Sequence, residues 1–324
     1  MSTATAVGTE VADGIFEVQA PFWGYPLSLY FVQSGDRWAV VDTGINTTPA
    51  AYIEPFMREH GGMDALELVL LTHGHVDHVG GNSELAKLAP HVRFALHEAD
   101  LAWAENVDRH FNQLYTFGEP EAWSPDAATA DAVRTACGNA VAINHILSDG
   151  DVIAFGGGRE IGVSHVGGHS PGEVLFRDRA TGAVFPGDAL QGSGAMNTET
   201  GKRDFPMYRT VRQYLAALDR VTALEPEVLC TAHQRSFTGD DIAIAVEASR
   251  AWTVGFTEEL TSLLRTSGSL TLAEAAAAVS EARPEHAVSL QIHVTTAEHL
   301  NELVRRGHAH PTIDEGVKRW TWNR

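Results

Sequence analysis

The string His73-Gly-His75-Val-Asp77-His78 places three imidazoles and a carboxylate within six residues. Imidazole nitrogen and carboxylate oxygen are borderline donors that suit Zn²⁺ and also accept Fe or Mn. A lone histidine on an apolar face is usually a satisfied core residue, whereas four donors at this spacing point to a metal ion. Gly74 keeps the turn open, and Gly80-Gly81 allows close backbone packing behind it. Three more donors stand at the ends of downstream apolar runs. His169 follows Val166-Gly-Gly, Asp188 follows Val184-Phe-Pro-Gly, and His233 follows Leu229-Cys-Thr-Ala. Donors at strand ends gather on one edge of a sheet, so a rigid scaffold can assemble a site from distant segments.

The elements that must position these donors are legible in the same chain. Residues 15–44 read as strands joined through a Ser34-Gly-Asp turn, a hairpin pattern. Residues 48–60 read as a helix, with Thr48 as N-cap and Pro49 at the first helical position. The apolar run 66–72 fits a strand covered on both faces and leads straight into the histidine string. Further strands are expected at 92–97, 151–155, 160–166, 173–177, 183–186 and 228–231, with helices from 83 and over 211–224 and 240–265. This alternation indicates a layered α/β or α+β domain over 1–238. A connecting helix (239–267) then leads to a small domain at 268–324. Its expected order of helix, helix and one final strand at 312–322 is winged-helix-like.

Residues 98–139 interrupt the pattern. Trp103, Val107, Phe111, Leu114 and Tyr115 fall at helical spacing, and the stretch holds five aromatic, eight acidic and two basic residues. It reads as a helical, lid-like insertion in which Trp103, Phe111, Tyr115, Phe117 and Trp123 build an apolar wall for a substrate.

Composition narrows the partners. The chain of 324 residues has 23 Lys and Arg against 42 Asp and Glu, a formal charge of −19. Residues 1–238 carry 15 basic and 30 acidic groups, and residues 239–324 carry 8 and 12, so neither part has the basic footprint of a nucleic-acid binder. A small-molecule substrate is expected, with the C-terminal domain walling one side of its cleft; a homodimer is left open. No apolar run approaches the length of a membrane span, and the N-terminus shows no basic-then-apolar leader. Cys137 and Cys230 match no metal or redox spacing. A cytoplasmic protein is expected.

The motif set resembles that of metallo-β-lactamase-superfamily hydrolases over about residues 12–238. Asp42-Thr-Gly after an early strand, the Gly168-His169-Ser-Pro-Gly turn and the Gly187-Asp188 step carry the likeness alongside the histidine string. The resemblance implies an αββα sandwich with two metal ions, expected to be Zn²⁺, at its open edge. By position, His73, His75 and His169 would hold one ion, Asp77, His78 and His233 the other, and Asp188 would bridge them. A bridging hydroxide, acidified by both ions, would attack a carbonyl or phosphoryl centre. Asp77 would also take the proton, and Asp42 would orient a ligand imidazole. His75 stands where flavodiiron-type relatives carry glutamate, which favours hydrolysis. No tyrosine follows Asp188 until Tyr208, unlike acyl-homoserine-lactone lactonases. Relatives with a winged-helix tail include acyl-thioester hydrolases and an RNA endonuclease. The reading is a dinuclear hydrolase of a carboxylic ester, lactone or thioester with an apolar part. A phosphodiesterase or ribonuclease is the first alternative and an iron oxygenase or redox protein the second. Lys202 and Arg203 are the first cations after Asp188 and the candidates to meet a substrate anion.

Overall fold

Two mixed sheets pack face to face and are flanked by helices. The computed structural model describes residues 8–115, 123–314 and 316–323; Phe117 lies outside them. The first sheet has seven strands in sequence order: β1 (Thr9–Ala12), β2 (Ile15–Gln19), β3 (Ser28–Ser34), β4 (Arg37–Val41), β5 (Leu66–Leu70), β6 (Arg93–His97) and β7 (His145–Leu147). β1 to β4 meander antiparallel, and β4 to β7 run parallel. The second sheet contains β8 (Val152–Phe155), β9 (Arg159–His165), β10 (Val174–Asp178), β11 (Val184–Phe185), β12 (Val228–Leu229) and β13 (Phe237–Thr238), in the order β13-β12-β11-β10-β9-β8.

Alternation along each strand divides its side chains between two layers. Tyr30, Val32, Val41, Leu68 and Leu70 meet Ile153, Ile161, Val163 and Phe176 between the sheets. The opposite face of the first sheet buries Phe31, Val40 and Val69 against Phe56 and Leu85, from α1 (Glu54–Glu59) and α3 (Asn82–Leu88). Between those helices lies the short α2 (Val76–Val79), which carries Asp77 and His78. The helix expected from Thr48 does begin at Pro49, but Thr48 does not cap it. Its hydroxyl faces back and accepts from the Ile45 N–H at 3.1 Å, and its own backbone is already helical.

The 98–139 segment contains α4 (Leu101–Ala104), α5 (Val107–Leu114) and α6 (Ala127–Ala136). The second sheet is covered by α7 (Val211–Ala223) and the first part of α8 (Asp240–Ser267). α8 does more than connect. Its 28 residues extend about 42 Å, with Ile242, Ala245 and Val246 in the sandwich and Phe256, Leu260 and Leu264 in the C-terminal cores.

After α8 come β14 (Ser269–Thr271), α9 (Leu272–Ala282), α10 (Leu290–Arg305), β15 (Ala309–Asp314) and β16 (Val317–Trp322). The single final strand expected from the sequence is two, because the chain reverses near Gly316 at φ +84°; β16 pairs with both β15 and β14. α10 docks on the loop before α7. Gln291 Nε2 donates to Asp204 at 2.8 Å, Thr295 Oγ1 to the Pro206 carbonyl at 2.7 Å, and the Val211 N–H to Glu298 at 3.0 Å. Among the described residues, no helix is long and apolar enough to cross a membrane.

One buried ion pair fastens the sheets together. Arg159 on β9 donates through Nε and Nη2 to both oxygens of Asp178, at 2.8 and 2.9 Å. The same guanidinium reaches the Gln33 and Asp13 carbonyls of the first sheet, at 2.8 and 2.9 Å. Burial opposes ionisation of the Asp178 carboxyl, but Arg159 and Thr181 outweigh it and hold its pKa below the ordinary value. Arg159→Met strands that carboxylate, and urea unfolding at pH 7 should show a loss of about 3 kcal/mol. A depressed carboxyl pKa stabilises the fold above the unfolded value, near about 4, and the benefit fades as pH falls through the folded value. The deficit of the variant should therefore shrink on acidification; a constant deficit down to about pH 3 would assign it to another cause.

Candidate metal centre

All seven donors singled out by the sequence converge at one edge of the sandwich. β5 delivers His73 and His75, α2 delivers Asp77 and His78, and the turns after β9, β11 and β12 deliver His169, Asp188 and His233. They form three groups with mutually close donor atoms: His73, His75 and His169; His73, His78 and Asp188; and Asp77, His78 and His233. In the first, His75 Nδ1 lies 3.0 Å from His73 Nε2 and 2.6 Å from His169 Nε2. In the third, His233 Nε2 lies 3.3 Å from Asp77 Oδ2. Asp188 straddles the groups. Its Oδ2 is 3.4 Å from His169 Nε2, while Oδ1 is 3.6 Å from His78 Nε2 and 3.4 Å from His233 Nε2.

Each of four imidazoles is oriented through its far nitrogen. His169 Nδ1–H donates to the Met207 carbonyl at 2.6 Å and His233 Nδ1–H to the Pro26 carbonyl at 2.8 Å. His78 Nδ1 pairs with Asp42 at 2.8 Å, and His73 Nδ1 meets Thr72 Oγ1 at 3.0 Å. A ring that donates through one nitrogen turns the other nitrogen's lone pair to the centre, which is the metal-binding tautomer. The residues fit a pair of divalent ions on this ground and on a second: His78 Nε2 is buried, faces the cluster and has no hydrogen-bond partner among the described residues.

Charge follows the same division. Burial disfavours the imidazolium at His78 and His233, but carboxylates win. Asp42 and Asp77 raise His78 to about 9, and Asp188 and Asp77 raise His233 to about 10. Burial and neighbouring imidazoles push His73 and His75 well below the ordinary value, and burial lowers His169. Burial opposes ionisation of Asp77 too, but His78 and His233 hold its carboxyl far below the usual range.

Asp42 sits at φ 62°, a left-handed conformation uncommon outside glycine and concentrated at functional sites. That turn lets its carboxylate accept from the Thr72 N–H at 2.8 Å while it grips His78. Two further carboxyls were not apparent from the sequence. Asp100, fully buried, accepts from the Gly74 N–H at 2.9 Å, Ser170 Oγ at 2.6 Å and the Gly172 N–H at 2.8 Å. It therefore ties the His73–His75 turn to the His169 turn. Glu173, also fully buried, accepts from the Asp188 N–H at 2.9 Å, and burial and Asp188 push its pKa well up. The one available signal for Asp100 was its place just after a parallel strand.

Above the donors opens a cavity of about 290 Å³ whose walls are largely apolar, with Phe22, Trp23, Tyr25, Leu190, Phe205 and Met207 among them. Tyr115 and Trp123 line it, as do Ser289, Leu290 and Gln291 of the C-terminal unit. Trp103 and Phe111 do not. Trp103 stacks behind His75 with its ring centre 5.8 Å away, and Phe111 is drawn into a cluster with Val76, Val133 and Ala136. Arg203 also lies off the lining, because its loop turns to the C-terminal unit. Its backbone N–H donates to the Glu285 carbonyl and its guanidinium to the Gly194 carbonyl, at 2.9 and 3.0 Å. The cation that does line the cavity is Arg209.

The sandwich and this donor edge define a metallohydrolase class of fold. The chain belongs to the metallo-beta-lactamase superfamily, whose family model matches residues 24–233. It is 27% identical over 229 residues to the acyl-coenzyme A thioesterase MBLAC2 of Bos taurus, covering 66% of this chain and 74% of that one. It is 26% identical over 222 residues to hydroxyacylglutathione hydrolase 2 of Vibrio vulnificus (strain YJ016), covering 68% and 66%. In structure it is similar to a metallo-beta-lactamase family protein from Thermus thermophilus, with a TM-score of 0.75 and 21% identity over 96% of this chain and 100% of that one.

Because Asp100 fixes two donor turns at once, Asp100→Asn should weaken metal affinity about 10- to 100-fold in chelator competition while leaving the thermal transition cooperative. Unchanged affinity would show that the turns hold their shape without it.

Proposed function

We propose that this chain is a dinuclear metal-dependent hydrolase that cleaves a thioester whose acyl or thiol part is apolar. The observation that carries the reading is the placement of the His/Asp groups against one largely apolar cavity. The two relatives described above are named for thioester substrates, acyl-coenzyme A and hydroxyacylglutathione, and support the choice of bond.

His73, His75 and His169 would hold one ion and Asp77, His78 and His233 the other, with Asp188 giving an oxygen to each. Two Zn²⁺ suit this donor set, and Fe or Mn also match it. Bound ions would supply Lewis acidity and a water acidified toward neutral pH. The chain's own groups do the rest. Asp77 turns Oδ2 to His78 and His233, and its Oδ1 is assigned to take the proton of the attacking water and return it to the leaving sulfur. Asp42, Thr72, Met207 and Pro26 keep the imidazoles aimed, so no reorganisation is needed as charge develops. The apolar walls hold the acyl chain and exclude bulk water. Thioester and water are converted to carboxylic acid and thiol.

The order helix, strand, helix, helix, hairpin from α8 onward supports a winged-helix-like reading of the C-terminal unit. We assign it to walling the cavity through Ser289, Leu290 and Gln291, with a small molecule as partner in place of nucleic acid.

A panel of hexanoyl thioester, aryl ester, aliphatic lactone and aryl phosphodiester, run with Zn²⁺-loaded protein, tests the reading. The thioester should show the highest kcat/KM, and Asp77→Ala should lower it about 10²- to 10⁴-fold. Cleavage of the phosphodiester alone would overturn the assignment.

A further inference from the structure

Arg209 is a half-buried arginine with two guanidinium nitrogens left unpaired among the described residues. Its Nε and Nη2 are shielded from solvent and make no hydrogen bond among the described residues, although a guanidinium is built to donate through that edge. The side chain nevertheless lines the cavity, where it is the only Lys or Arg among the described residues. Its Cζ lies 5.8 Å from the centre of the Trp103 ring, the same ring that stacks behind His75. Tyr115 and the carboxylate of Asp100 are near enough to affect it electrostatically, but Asp100 is already engaged by Gly74, Ser170 and Gly172. Leaving donors of a charged group unsatisfied in a buried setting costs stability.

The backbone around Arg209 is held firmly. Its N–H donates to the Gly168 carbonyl at 2.8 Å, and Met207, two residues earlier, accepts from His169 and from Gln191 Nε2, both at 2.6 Å. Tyr208 OH pairs with His299 of α10 at 2.7 Å. Arg209 is therefore presented to the cavity by a braced loop, where the remaining lining is apolar side chains, imidazoles, amides, hydroxyls and carboxylates.

We propose that Arg209 is the cavity's anion anchor, pairing with a carboxylate that the substrate carries a few bonds from the scissile carbonyl. This rests on the hydrolase reading above and narrows its substrate to a thioester that is apolar along its chain and acidic at one point. A guanidinium donates charge-assisted hydrogen bonds to a carboxylate, and the low-polarity walls strengthen the pair; the covered Nε and Nη2 reach it by a turn of the Arg209 side chain toward the cavity. The carboxylate belongs either to the acyl half or to the thiol half, and the two sources are separable.

Three thioesters decide it: pentanoyl N-acetylcysteamine, its glutaryl counterpart with an acyl carboxylate, and pentanoyl 3-mercaptopropionate with a thiol carboxylate. Wild-type protein should favour one carboxylated substrate over the neutral one by at least about tenfold in kcat/KM. Arg209→Met should bring that ratio close to one, Arg209→Lys should restore part of it, and Arg203→Met should leave it in place. An equal loss on all three substrates in Arg209→Met, with the ratio intact, would reduce Arg209 to support of the His169 loop and overturn the proposal. So would a wild-type ratio near one. If no thioester is cleaved, the hydrolase reading fails, and calorimetric binding of glutarate against pentanoate still decides Arg209. Tighter glutarate binding that disappears in Arg209→Met supports the anchor, and equal binding of the two acids by wild type refutes it.

Discussion

The carboxylate of Asp100 is the constraint on which the site depends. It is buried, and it accepts from the backbone of the histidine turn and from the Ser170 and Gly172 turn. Those turns arise from different sheets, so one side chain fixes the distance between His73 and His75 on one side and His169 on the other. The close approach explains two glycines. A Cβ at Gly172 would stand 2.7 Å from Asp100 Cγ, and one at Gly74 would stand 3.0 Å from Asp100 Cβ. Larger residues at either position would push the turns apart.

Around that clamp the site is built in shells of decreasing polarity. Innermost are imidazoles and carboxylates with their lone pairs turned inward. Behind them, Asp42, Thr72, Met207 and Pro26 fix ring orientation, and Glu173 holds the Asp188 backbone. Outermost is an apolar cavity closed partly by the C-terminal unit. The same loop, residues 204–211, serves the two outer layers and the docking of the C-terminal unit. Met207 orients His169, Phe205 lines the cavity, and Pro206 and Val211 receive α10. Removing the C-terminal unit would therefore unsettle the metal centre as well as open its wall.

The donors were legible in the sequence because they are local in spacing or stand at strand ends. The strand β5 was legible as an apolar run, and the alternation of elements indicated a layered domain, with the αββα sandwich implied by the family resemblance. The supporting carboxyls were not, because Asp100 and Glu173 are single acids with no periodic or motif signature, and their importance comes from burial that only tertiary packing creates. The substrate wall was read in part. Helical spacing placed Trp103 and Phe111 on one face, but spacing does not say what that face meets, and both turned to structural packing. Proximity in sequence to Asp188 favoured Arg203, whereas the loop carries it to the C-terminal unit and brings the more distant Arg209 to the cavity.

The claim that these seven donors form one two-ion centre is tested most directly by counting metal. Elemental analysis of protein reconstituted with Zn²⁺ and freed of excess should find close to two ions per chain, falling to one or fewer in Asp188→Ala, which removes the carboxylate that reaches both His169 and His233. Wild-type protein that binds no ion tightly, or an Asp188→Ala variant that still retains two, would contradict the account.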